Sequence, residues 1–483
     1  MMQSRVLEAF RAVLGQAGMI TNPIELKTYE CDGLTNFRVM PSAVLLPDSV
    51  EQVQAVVRIC HENKIPFVAR GSGTGLSGGA LPVAEGVVLS LARMNRILEV
   101  DLANQRVVVE PGVINAFITQ RIAPHGYFYA PDPSSQQVCS IGGNVAENSG
   151  GAHCLKYGFT STHVLGVDVV LPDGELVQLG GPTLDSPGYD LAGVFVGSEG
   201  TLGVVTRVIL RIVKRPEVIC TLLAAFNSTN EAGEAVSEII GAGVLPAAIE
   251  MMDNLAIQAA EASVHAGYPN CGGLLLVELD GTASEVETLT EQVKQICTHC
   301  GAWEIRLAHS EAERIVVWKG RKAAFAAMGR ISPSYIVQDG VIPRTALPRV
   351  MDDIARLSRE SGLRVANVFH AGDGNLHPLV LYDERIPGQQ KLAEVVAGDI
   401  LRLCIQAGGS ITGEHGVGAE KKAFMAEMFA EPDLDTMQLV RCAFDPEHLA
   451  NPGKVFPRLR LCAEKTGPYT PHPLEVAGVA EFF

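Results

Sequence analysis

The first regular pattern along the chain is helical. Val6, Leu7, Phe10, Val13 and Leu14 recur at three- and four-residue intervals, with Arg5, Glu8 and Arg11 between them. The spacing predicts an amphipathic helix; a secretory leader would need an unbroken apolar stretch. Residues 21–40 have no period and read as a connector. Ala43–Leu46 predicts a strand that stops at Pro47-Asp48-Ser49. Helical spacing returns from Ser49 to Asn63, with Val50, Val53, Val56, Val57 and Cys60 on one face and Ser49 as the N-cap. Short strands follow at 65–69, 87–91, 97–101 and 107–109, and a helix at 114–123.

A shift in composition at Arg215-Pro216 marks a boundary. Beyond it the pattern alternates: strand 219–226, helix 229–242, strands 247–251 and 274–279, helix 285–300, strand 304–307. This βαβ-like order predicts a smaller α+β cap. Val365–Leu381 reads as a hairpin turning at Asp373-Gly374, the strongest short hairpin signal. A two-residue turn there sets His370 opposite His377 on one face, with Cβ atoms about 5 Å apart. Gln390–Gln406 is a helix.

Between these elements lie three glycine-rich segments. Phe67–Gly79 reads FVARGSGTGLSGG, and its residues 73–78 spell GxGxxG. A Rossmann site would need a helix to start there, but residues 86–91 read as another strand, which leaves no room for one. The stretch alone is either a surface turn or a backbone stripped bare to approach a phosphate. Ser140–Gly151 and Val196–Thr206 repeat the composition, and Ala130–Ser135 is a proline-stiffened loop. Three such segments in one region point to several backbones converging on one large, polar-tailed ligand.

Composition removes other classes. The net charge of −16 offers no basic face for nucleic acid or an anionic membrane. No apolar run reaches the roughly 18 residues of a membrane span. The 11 cysteines form no framework, so reduced thiols in a cytoplasmic setting are expected. Cys297 and Cys300 make a lone CxxC, without the second pair of a zinc or iron–sulfur site.

Candidate chemistry lies in the second half. His370 and His377 are either two unrelated hairpin residues or two ligands of one metal. The loop Ser410–Gly418 supplies Glu414, which completes a two-histidine, one-carboxylate set with open positions. Its neighbour His415 points the other way in extended chain and is left as an acid/base. Zn, Mn or Fe all suit these ligands. Arg321, in Trp318–Pro333, is either a bidentate carboxylate clamp or, like Lys319 and Lys322, a solvated surface charge.

Through Arg70–Gly79, Asp132–Ser135, Ile141–Gly151 and Gly197–Thr206, the first half resembles the FAD-dependent enzymes of the vanillyl-alcohol oxidase family. The resemblance implies an α+β architecture: a two-subdomain FAD-binding domain, an α+β cap and a C-terminal helical segment returning to the flavin. In these terms 1–39 is an N-terminal helix and connector, and 40–216 binds FAD. Residues 217–430 form the cap with the metal site, and 431–483 pack back on the FAD domain. It implies that Arg70, Gly71, Ser72, Gly73, Thr74, Gly75, Gly78 and Gly79 cradle the diphosphate. The ribityl chain and ring fall to Pro131, Asp132, Ser135, Gly142, Gly143, Asn144, Asn148, Ser149 and Gly150. Glu199, Gly200, Gly203 and Val204 join them. Some relatives tether flavin through a histidine in the first loop; residues 70–79 have none, so non-covalent FAD is expected.

Val368–Pro378, Gly409–Gly418, Trp318–Pro333 and Asn451–Lys454 are similar to the FAD-linked 2-hydroxy-acid dehydrogenase branch of that family. The branch holds D-lactate and D-2-hydroxyglutarate dehydrogenases and FAD-linked subunits of bacterial glycolate oxidases; the whole chain is similar to the last. This implies metal binding by His370, His377 and Glu414, His415 as base, and Arg321 on the substrate carboxylate. Asn375 falls in the substrate or metal shell and Asn451 on the flavin. The implied reaction is oxidation of a small 2-hydroxy acid, glycolate to glyoxylate and also D-lactate to pyruvate. Electrons would leave through a second flavin-like subunit and an iron–sulfur subunit toward quinone, with any membrane attachment peripheral and through those partners. A lysine that relatives acting on dicarboxylates carry near 335–339 is missing. A stand-alone D-lactate dehydrogenase and a non-catalytic FAD-binding scaffold remain as alternatives.

Overall fold

The computed structural model describes residues 4–184, 188–458 and 462. The rest of the expected C-terminal segment, 459–461 and 463–483, lies outside the described residues. Helix Ser4–Leu14 buries Val6, Phe10 and Leu14, one residue per turn, against helix Val50–Glu62. Ser49 caps the latter, its side chain accepting from the Gln52 amide. Both helices cover a four-stranded sheet, ordered Met19–Ile20, Ala43–Leu45, Val87–Ser90 and Phe67–Arg70, whose last three strands run parallel. No helix follows Arg70; residues 71–86 are loop and turn.

A second sheet is antiparallel throughout. Its order is Ile97–Asp101, Arg106–Val109, Val204–Arg211, Val164–Val170 and Leu176–Gly180. Inside the second glycine-rich segment lies a helix, Ile141–Glu147, with Ile141 and Val145 in this sheet's core.

The third sheet has nine strands and is larger than the small cap expected. Strand Val218–Phe226 alternates strictly. Leu222, Ala224 and Phe226 face helices Thr229–Gly241 and Ala283–His299, while Leu223 and Ala225 face helices Asn254–Val264 and Glu311–Ala327. Covered on both faces, Leu274–Val277 reads as continuous apolar sequence. The βαβ expectation needs a correction. Strands 218–226 and 248–253 run in the same direction, but 273–281 lies between them antiparallel to both. This is a split βαβ arrangement.

The hairpin register is also corrected. Val365 pairs with Val380 and His370 with Asn375, so His377 lies opposite Val368. Asp373-Gly374 closes a four-residue loop, 371–374, because the Asp373 carboxylate turns back onto the Asn375 amide at 3.1 Å. The slip is two residues, which preserves the face. His370 and His377 become diagonal neighbours, ring centroids 5.1 Å apart.

The chain's end returns to the first sheet. Phe67 donates its amide to Leu449 and accepts from the Asn451 amide, at 2.9 and 2.8 Å. Where reduced thiols are expected throughout, Cys442, in helix Glu431–Phe444, is bonded to Cys462. Cys297 and Cys300 are free and buried.

Candidate active site

The three glycine-rich segments meet. The Ser72 amide donates to Ser140 Oγ at 3.3 Å, and the Gly197 and Glu199 amides donate to Val145 and Ala146 carbonyls at 2.8 Å each. A Cβ on Gly71 would stand 2.1 Å from Ser140 Oγ, so glycine lets the first two segments close up without displacing that hydroxyl. They enclose a long cavity walled by 70–75, Gly79, Ser135, Gly142 to Asn144, Ser149 and Gly150, with Glu199, Gly200 and Gly203 opposite. Its lining is backbone and small side chains, the form a diphosphate and flat ring require.

Six expected cofactor residues do not line it. Val204 is in the sheet core, and Gly78 packs on Ala419. Asn148 turns away, its carbonyl oxygen accepting from the Ser161 amide. The Pro131 carbonyl accepts from Asn115. Asp132 grips His153, Oδ2 to Nδ1 at 2.9 Å. Asn451 braces the wall from behind, donating to the carbonyls of Gly79 and Glu199 at 2.8 and 2.6 Å. Arg70 and Asn144 are on the wall, but both spend hydrogen bonds on protein. The Arg70 guanidinium reaches the Cys31 and Ala80 carbonyls, and Asn144 accepts from Asn115.

Glu414 and His415 close one end of the cavity. The Nε2 atoms of His370 and His377 stand 3.3 and 3.0 Å from Glu414 Oε1. Each histidine is tied back through Nδ1: His370 to Glu250 Oε1 at 2.7 Å, His377 to the Gln338 carbonyl at 3.2 Å. Tethering one ring nitrogen orients the other inward, as metal-ligating histidines do. The carboxylates of Glu250 and Glu414 outweigh burial and hold the His370 pKa well above its usual value. In turn the two histidines, against burial, hold Glu414 well below its own. The cage therefore favours positive charge at its centre. His370, His377 and Glu414 present ligand atoms within 4.8 Å of one another, a donor set that fits a divalent cation.

His415 stacks on His377, centroids 5.0 Å apart at 15°, and its Nδ1 has no hydrogen-bond partner among the described residues. Burial lowers its pKa to about 4, which keeps the imidazole neutral and able to take a proton. Asn375, paired with His370, is buried, and its side-chain oxygen has no hydrogen-bond partner among the described residues. Arg321 is no surface charge: it is 3% exposed, and it meets Glu250 at 2.5 Å. Through Glu250 it supports His370.

Two carboxylates escape the sequence reading. Glu250 carries both Arg321 and His370. Asp339 accepts from Thr412 Oγ1 and from the amides of Gly413, Glu414 and His415, between 2.6 and 3.2 Å, and pairs with Lys421. Glu199 was expected on the flavin. It lines the cavity, and its carboxylate accepts from the Val417 and Gly418 amides at 2.6 and 2.7 Å, joining the third glycine segment to the His415 loop. Glu147 lies beside it.

Residues 41–180 match an FAD binding domain, and residues 215–455 match the C-terminal domain of FAD linked oxidases. The chain is 51% identical over 463 residues to glycolate oxidase subunit GlcD of Escherichia coli K12, covering 96% of this chain and 93% of that one. GlcD of Bacillus subtilis is 38% identical, with 90% and 94% covered. A D-lactate dehydrogenase of Anaerostipes hadrus is 32% identical, with 86% and 90% covered. The backbone is similar to p-cresol methylhydroxylase, with a TM-score of 0.80, 20% identity and 93% and 96% covered, a likeness of fold alone. The chain thus belongs to the FAD-linked oxidases with the vanillyl-alcohol oxidase fold, in their branch of FAD-dependent 2-hydroxy-acid oxidoreductases.

Proposed function

We propose that the chain oxidises glycolate to glyoxylate, and D-lactate to pyruvate, at a metal cage beside non-covalently held FAD. The observation that carries this reading is the convergence of His370, His377 and Glu414 at the cavity end, with His415 stacked over the cage. Bound FAD supplies the acceptor for a hydride, and a divalent cation supplies a Lewis acid that acidifies the substrate hydroxyl. His370, His377 and Glu414 hold the cation. His415 takes the hydroxyl proton. The guanidinium edge of Arg321 not taken by Glu250 holds the substrate carboxylate, and Asn375 Oδ1 orients the hydroxyl. In this reading 1–39 are an N-terminal helix and connector, 40–216 hold FAD, 217–430 carry the cage, and the described part of the C-terminal segment, 431–458, folds back onto the flavin domain.

The name "glycolate oxidase subunit" borne by the relatives supports a complex, here with a second flavin-like subunit and an iron–sulfur subunit that pass electrons to quinone. Among the described residues no helix is long and apolar enough to cross a membrane, and the net charge of −16 disfavours nucleic acid. The setting is then cytoplasmic, with attachment to the inner membrane through the partners. A stand-alone D-lactate dehydrogenase is the second reading, favoured by the 32% identical relative. Anaerobic titration with glycolate, D-lactate, L-lactate and D-2-hydroxyglutarate separates the two. Glycolate should bleach the flavin at least as fast as D-lactate, and D-2-hydroxyglutarate should not. Bleaching by D-lactate alone sinks the glycolate assignment.

A further inference from the structure

Glu147 ends the helix Ile141–Glu147 and reaches across the end of the cofactor cavity nearest His415. Its two oxygens lie where side chains of flanking glycines would be. A Cβ on Gly79 would be 2.4 Å from Oε1, and one on Gly416 would be 2.2 Å from Oε2. The same Gly416 position would be 2.9 Å from Glu199 Oε1, so two carboxyl groups share one small volume. They are treated differently. Glu199 receives two backbone amides, one on each oxygen. Glu147 Oε2 is buried and has no hydrogen-bond partner among the described residues.

The nearby cations are committed elsewhere. Lys421 Nζ is taken by Asp339 and the Gly416 carbonyl, and Lys454 Nζ by the Leu81 carbonyl and Asn451. Asp32, the remaining charged neighbour, is another acid. Two adjacent carboxyls with unequal donors, one buried and the other with a buried Oε2, resolve by one keeping its proton. Burial, with Glu199 and Asp32, drives the Glu147 pKa well above its usual value.

We propose that Glu147 is a carboxylic acid that donates a hydrogen bond to the bound flavin and stabilises its reduced form. Reduction by substrate adds electron density to the ring, and a fixed neutral donor in the wall favours that state at no cost in reorganisation. His415 marks the end of the cavity where the substrate carbon must meet the ring, and Glu147 is one residue's reach from it across Gly416. The role depends on the flavin alone. It is independent of the metal and of the choice of hydroxy acid.

The test uses the full-length holoenzyme with Glu147→Gln and Glu147→Leu, reading FAD dissociation constant and midpoint potential. Glutamine keeps a donor and should leave both at the wild-type values. Leucine should weaken FAD by about tenfold, the value of one hydrogen bond near 1.4 kcal/mol, and make the potential more negative. Wild-type values in both variants would overturn the contact. A positive shift in the glutamine variant would show an ionised Glu147 and overturn the proton. Should the leucine variant not fold, redox difference infrared spectroscopy decides. A protonated carboxyl band should move on flavin reduction in wild type and be missing from Glu147→Gln; a wild-type spectrum without it refutes the proposal.

Discussion

His370 Nδ1 lies 2.7 Å from Oε1 of Glu250, and the other oxygen of that carboxylate meets Arg321 at 2.5 Å. All three are nearly inaccessible to solvent, on adjacent strands and a helix of the nine-stranded sheet. A buried carboxylate between a histidine and an arginine fixes the ring and leaves Nε2 to its task. Glu250→Gln should lower metal affinity about 10- to 100-fold while FAD stays bound. Metal analysis and the flavin spectrum of the same sample check both parts.

Removing the base should separate binding from chemistry. His415→Ala is expected to keep FAD and metal and to slow flavin bleaching by glycolate about 10²- to 10⁴-fold. Stopped-flow absorbance under anaerobic conditions measures it. A variant reduced at the wild-type rate has its base elsewhere.

Behind the cavity, Asn451 joins two walls that no backbone ladder connects. Asn451→Ala frees the Gly79 and Glu199 carbonyls. Leaving such buried groups unpaired costs about 1–3 kcal/mol. A lower melting temperature and weaker FAD binding should appear together; an unchanged FAD dissociation constant would separate Asn451 from the cofactor wall.

Across the two halves of the molecule, His153 bridges Asp132 and Glu278 at 2.9 and 3.1 Å. Burial opposes charge on the imidazole, but the two carboxylates raise its pKa to about 10. A raised histidine pKa stabilises the fold fully below the unfolded value of about 6.5. That contribution declines as pH rises from there to about 10. The melting temperature of wild type should fall over this interval more steeply than that of His153→Gln. Parallel curves would show that the bridge carries no charge.

The cofactor cavity was legible because glycine-rich backbone announces itself locally, and Gly71 and Ser140 need no distant partner to be read. The meeting of His370 and His377 was legible through a two-residue period, so a hairpin misplaced by two residues still set them on one face. Glu250 was not, since it stands between Ile249 and Met251 in strand Ala248–Asp253, more than a hundred residues from its histidine. A carboxylate in such a strand is itself the signal, because it is seldom buried unpaired. Asp339 and Glu147 are hidden because the residues they meet are also distant in sequence. Strand order in the large sheet was hidden too, because insertion of 273–281 between two parallel neighbours leaves no mark on hydrophobic period.

The most direct measurement is anaerobic reduction of the bound flavin by glycolate, before and after chelation of divalent metal. The purified chain should be yellow, bleach with glycolate when metal is present, lose bleaching on chelation with FAD retained, and regain it with added Zn, Mn or Fe. Bleaching at an undiminished rate in metal-free protein would contradict the cage formed by His370, His377 and Glu414.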